Sequence, residues 1–86
     1  MLWLQIKLTE RVFINNVVLT LLAKEPADIT VDIDGEQHKV PYNGSKKFPT
    51  FTLHARDFGK GLRLGFKASP NIHIRREKYE TQLPTK

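Results

Sequence analysis

Apolar and polar positions alternate from the first residue. Met1-Leu2-Trp3-Leu4-Gln5-Ile6-Lys7-Leu8 puts Leu2, Leu4, Ile6 and Leu8 on one face and Trp3, Gln5 and Lys7 on the other. That is the period of a half-buried strand. After Thr9-Glu10 the pattern resumes at Val12-Phe13-Ile14, and Asn15-Asn16 predicts a two-residue hairpin turn, since asparagine tolerates positive φ. Val17 to Leu22 is apolar on both faces, as a central strand would be. Lys24 to Asp28 breaks the pattern, Ile29 to Ile33 alternates again, and Asp34-Gly35 predicts a hairpin with Gln37 to Val40 pairing back. Residues 41–49 read as loop, Thr50 to Ala55 as strand and Asp57 to Gly61 as turn. Leu62, Leu64 and Phe66 then face inward with Arg63 and Lys67 outward. Ala68 to Asn71 turns the chain into a last short strand, Ile72 to Arg75. Arg76 to Gln82 can make about two helical turns before Pro84 ends them. The predicted class is all-β with a short C-terminal helix.

Composition narrows this to one domain, residues 1–86, with 40% apolar and 27% charged side chains. The absence of cysteine excludes a disulfide scaffold, a thiolate metal site and a cysteine nucleophile. The apolar run around Thr20 is far shorter than the roughly 20 residues that span a membrane. An opening without a basic region predicts no secretory leader and a cytoplasmic protein that does not engage membranes. A chain this small, with neither metal nor disulfide, also predicts a homodimer. The net charge of +5 is unevenly spread. Seven basic and seven acidic residues cancel over 1–57, whereas 58–86 holds Lys60, Arg63, Lys67, Arg75, Arg76, Lys78 and Lys86 against Glu77 and Glu80. The C-terminal third therefore predicts an anionic partner, with an ordinary solvated face as the plain alternative.

Catalysis finds little support. His38, His54 and His73 lie in separate strands at spacings that suggest no metal site. Asp32 and Asp34 share a strand face beside Asp34-Gly35, where turn chemistry accounts for them. Gly59-Lys60-Gly61 lacks the spacing and following helix of a phosphate loop. The expectation is a non-enzyme without cofactor or metal. Binding is better supported, because Arg63 and Lys67 share a face and Arg75-Arg76 close the next strand. Cations on neighbouring strands, with exposed backbone beside them, suit single-stranded nucleic acid.

Two segments add a resemblance. Met1-Leu2-Trp3-Leu4 with Glu10 and Ile14, and then Leu62-Arg63-Leu64-Gly65-Phe66-Lys67-Ala68 followed by Ile72-His73-Ile74-Arg75-Arg76-Glu77, resemble the carbon storage regulator family (CsrA/RsmA) of small bacterial mRNA-binding proteins. The resemblance implies a five-stranded core in an intertwined homodimeric β-barrel or sandwich, the first strand of one subunit beside the fifth of the other. It implies a post-transcriptional regulator that takes GGA-containing loops of mRNA or small regulatory RNA at two symmetric sites. Such a regulator occludes ribosome-binding sites or alters message stability. Carried over by position, Leu4, Gln5 and Lys7 belong to one side of the RNA site. Arg63, Ala68, Ile72, Ile74 and Arg76 belong to the other, with Arg76 at the family's most telling arginine.

This chain departs from that pattern. Ile6 stands where the family carries the first of two adjacent basic residues, the Ala-Pro turn has become Ala68-Ser69-Pro70, and Pro84 cuts the last helix short. An insertion of roughly 32 residues, about 24–58, replaces a short turn between the third and fourth family strands; loop-closure entropy grows slowly enough to tolerate it. It reads either as a surface hairpin extending two strands or as an element that docks a protein partner or adds RNA contacts. In the latter case its second half, with Lys39, Lys46, Lys47 and Arg56, is the part suited to phosphate. The alternative function is a protein-interaction module whose RNA binding weakened with Ile6.

Overall fold

The computed structural model describes residues 1–57 and 61–77. These form nine strands: β1 (Leu2–Gln5), β2 (Arg11–Ile14), β3 (Val17–Lys24), β4 (Asp28–Ile33), β5 (Glu36–Pro41), β6 (Gly44–Lys47), β7 (Phe51–Asp57), β8 (Leu62–Ala68) and β9 (Ile74–Arg76). They build two antiparallel sheets, ordered β1-β8-β7-β6 and β5-β4-β3-β2-β9. Among the described residues no helix is long and apolar enough to cross a membrane.

Turn chemistry sets the pairing. Asn15 takes φ 53° between β2 and β3, and Asp34 (φ 52°) with Gly35 (φ 91°) closes β4 onto β5, the two consecutive positive-φ residues that match a hairpin's twist. Asp32 and Asp34 serve as turn groups, as the sequence suggests. The Asp32 carboxylate accepts from the Gly35 N–H at 2.8 Å, and Asp34 accepts from the Val18 N–H at 3.0 Å. Asn43 (φ 60°) sits in the short turn from β5 to β6, where the chain leaves one sheet for the other. The β3–β4 register slips between Leu21 and Ala23, which pushes Leu22 out to 39% exposure on an otherwise apolar strand.

Inward positions of both sheets meet in one core. Phe51, Leu53, Ala55, Leu62, Leu64 and Phe66 come from the first sheet. Val12, Ile14, Leu19, Leu21, Ile29, Val31 and Val40 come from the second, and Ile6 is buried just after β1. A chain of aromatic contacts ties the sheets at one end: His38 of β5 meets Phe48 edge-on at 5.0 Å, Phe48 stacks on Phe51 at 5.1 Å, and Phe51 reaches Phe66 at 6.0 Å.

The expected all-β class is observed, but the five-stranded core becomes nine strands in two layers. Residues 24–58 are no surface hairpin. Between them they hold β4 and β5 of one sheet and β6 and β7 of the other, and they bury Ile29, Val31, Val40, Phe51, Leu53 and Ala55. Their acidic first half resembles a solvated excursion, yet every charge there sits at a turn or on an outward position. β6 falls where loop was predicted, because Gly44-Ser45-Lys46-Lys47 has no apolar face to announce a strand. Arg76 ends β9 instead of opening a helix. The rest of the expected C-terminal helix, 78–82, lies outside the described residues, as do Phe58 to Lys60.

Candidate nucleic-acid interface

β1 and β9 each end a sheet, and a groove of about 360 Å³ opens between them. Met1 and Leu2 wall it on the β1 side. Phe66, Lys67, Ala68 and Ser69 form its floor, and Ile72, His73 and Ile74 the opposite wall. The loop from β8 to β9 is held in place locally. Ile72 N–H donates to the Ser69 carbonyl at 3.0 Å, and the Ser69 hydroxyl donates to Asn71 Oδ1 at 2.6 Å. Asn15 then fastens the start of β9: its N–H donates to the His73 carbonyl and its Oδ1 accepts from the His73 N–H, both at 2.8 Å. The β2–β3 turn thus fixes one wall of the seam.

The eight residues singled out from the sequence fall into three places. Ala68, Ile72 and Ile74 line the seam, with Ile72 and Ile74 also packed on the core. Leu4 pairs with Leu64 and packs on the core behind it, so it supports the site instead of facing it. Gln5 and Arg63 lie opposite each other on the outward face of the first sheet. Lys7 and Arg76 converge on a single carboxylate. The Lys7 N–H donates to Glu10 Oε1 at 2.8 Å, and the Arg76 guanidinium approaches Glu10 Oε2 at 3.7 Å. Arg76 pairs in register with the buried Val12, so its side chain leans to the inner side of the sheet and is only 20% exposed. Arg75, opposite Phe13, takes the outward side.

The other histidines are occupied separately. His38 Nε2 lies 3.2 Å from Glu36, and His54 sits in β7 beside Trp3. Sequence reading missed Trp3, His54, Arg56 and Lys67 as a group. They come from β1, β7 and β8, and only the registers Trp3↔Gly65↔His54 and Arg63↔Arg56 bring them onto one face. A cue was present in Trp3, a large aromatic on the polar side of an alternating strand. No protein-family model, no curated protein and no solved structure matches the chain.

Proposed function

We propose that the protein is a non-enzymatic RNA-binding regulator that holds a GGA-containing loop in the seam between β1 and β9. The observation that supports this most directly is the convergence of Ala68, Ile72 and Ile74 with Met1, Leu2, Lys67 and His73 around one groove at two sheet edges. Edge strands present backbone N–H and C=O groups that can pair with base edges. The apolar walls suit unstacked base faces, while Lys67 supplies charge for phosphate. Holding such a loop in an mRNA would occlude a ribosome-binding site or change the message's stability. The resemblance to carbon storage regulators agrees with this reading.

The same reading includes a homodimer with β1 of one copy beside β9 of its partner. Both strands end sheets, and Met1 and Leu2 stay 62% and 41% exposed at the β1 edge. One chain already supplies both layers of the core, so such a dimer would be built on sheet edges rather than on a shared interior. The alternative, a protein-interaction module, would have to use the outward faces of β4 to β7, since residues 24–58 are built into both sheets.

A gel-shift titration of the full chain with a GGA hairpin and its CCA variant, at one salt concentration, tests the reading. A preference for GGA of at least about tenfold, or about 1.4 kcal/mol, is expected. Equal binding of the two hairpins overturns it. Sedimentation equilibrium of the same sample at micromolar concentration reads the dimer against the 9.9 kDa monomer.

A further inference from the structure

The outward face of the first sheet carries groups that the seam does not use. Trp3 lies across Gly65, where an added Cβ would sit 2.8 Å from two atoms of the indole ring. Only glycine lets the ring settle this close to the strand. Beyond it lies His54, ring centroids 6.4 Å apart, and the Arg56 guanidinium is 5.8 Å from the centroid of the indole. Register lays out the surroundings in rows: Gln5, Arg63 and Arg56 on one side of the tryptophan, and Lys67, Thr52 and Lys47 on the other. Arg56 and Arg63 stand directly opposite each other, a like-charge pairing that by itself costs stability.

None of the outward positions of β1, β6, β7 and β8 is acidic. The nearest carboxylate along the chain, Asp57, is exposed at the end of β7, opposite Leu62. It helps hold the Tyr42 phenol above its ordinary range, an effect led by burial of that phenol. A cationic face around a half-exposed aromatic complements an anionic polymer with flat bases, which is single-stranded RNA in a protein already read as an RNA binder. Lys67 is shared with the seam, so one strand can pass from the face to the groove.

We propose that the outward face of the β1-β8-β7-β6 sheet is a second, sequence-tolerant RNA surface, on which Trp3 stacks an unpaired base while Arg56, Arg63, Lys67 and Lys47 neutralise phosphates flanking the loop held in the seam. This rests on the RNA reading above, but it concerns different groups and a different selectivity.

Trp3 is the chain's one tryptophan, so its emission reports stacking directly. Titration of the full chain with oligouridylate, which contains no GGA, should quench that emission. The log–log salt slope should be about −2 to −3, as for three or four phosphates of a single strand. The double variant Arg56→Ala/Lys67→Ala should weaken oligouridylate binding at least about fivefold with the far-ultraviolet circular dichroism unchanged, whereas Arg75→Ala on the other sheet should change it less than about twofold. The double variant leaves Trp3 on Gly65, so the test does not depend on a β1 variant folding. If oligouridylate leaves the emission unchanged while the GGA hairpin still binds, the second surface is overturned and the seam stands. If oligouridylate binds and quenches but GGA carries no preference over CCA, the seam reading falls and the face stands.

Discussion

The two sheets have matching inner faces and dissimilar outer ones. Inward, each presents six or seven buried apolar side chains to the common core. Outward, the first sheet shows Arg56, Arg63, Lys67 and Lys47 around Trp3, and its one carboxylate, Asp57, ends β7 opposite Leu62. The second carries Asp32 opposite Thr20, and Arg11 bonded to Glu77 just past β9 and lying 5.8 Å from the Phe13 ring. Arg11, Lys39 and Arg76 of the second sheet each meet a carboxylate of the same chain. The difference teaches that packing dictated the inside of both sheets alike, while composition set their outer faces apart, the first being rich in basic side chains around an aromatic.

The equality of the inner faces can be broken outright. Replacing residues 25–58 by an Asn-Gly turn removes β4 and β5 from one sheet and β6 and β7 from the other. Ile29, Val31, Val40, Phe51 and Leu53 leave the core with them. Each buried side chain of this kind is worth about 1.5–3 kcal/mol, and a whole domain is stable by only about 5–15 kcal/mol. The shortened chain should therefore show no cooperative thermal transition. A folded product that melts cooperatively would mean that the sheets do not depend on this segment.

Much of that core was legible in the chain itself. Strict alternation in Ile29-Thr30-Val31-Asp32-Ile33 and in Leu62-Arg63-Leu64 assigned strand and face together, and Asp34-Gly35 marked its turn. What alternation cannot carry is pairing. Nothing local says that β7 neighbours β8 in one sheet while β4 neighbours β3 in the other, so residues 24–58 read as an excursion instead of half of each layer. The candidate site suffered from the same gap. Ala68, Ile72 and Ile74 are close in sequence and were found together. Trp3, Gly65, His54 and Arg56 are brought together by register alone. Arg76 was assigned to the RNA site, and the carboxylate that meets it in the structure, Glu10, lies 66 positions away.

A smaller change should make the second sheet's rim behave more like the first. Glu10→Gln keeps an amide oxygen to accept the Lys7 N–H and removes the charge facing Arg76. Both partners are about one-fifth exposed and 3.7 Å apart, so the pair adds no more than about 1 kcal/mol to stability. With its counter-charge gone, Arg76 should hold a GGA hairpin about two- to tenfold more tightly at low salt, and the gain should shrink as salt rises. Weaker binding by Glu10→Gln would show that the carboxylate positions Arg76 for RNA instead of competing with it.

The smallest effect belongs to the pair that most distinguishes the second sheet's surface, Arg11 and Glu77. The hydrogen bond from the Arg11 guanidinium outweighs the opposing effect of burial and, aided by the Arg11 charge, holds the Glu77 carboxyl below its ordinary value of 4.5. The same bond raises Arg11 further above a value already out of range of any folding experiment. Glu77 alone therefore gives the pair its pH dependence. Because its folded value is depressed, the stabilisation is fully present above 4.5 and is lost as pH falls through that lower value. Arg11→Ala should lower the urea midpoint slightly at pH 6 and return the Glu77 titration toward its ordinary range. Parent and variant midpoints should converge as the pH is taken well below 4.5. The gap should also narrow with added salt, as for any solvent-facing ion pair. A midpoint difference that stays constant from pH 6 down to pH 2.5 would assign the contribution of Arg11 to its contact with the Phe13 ring rather than to Glu77.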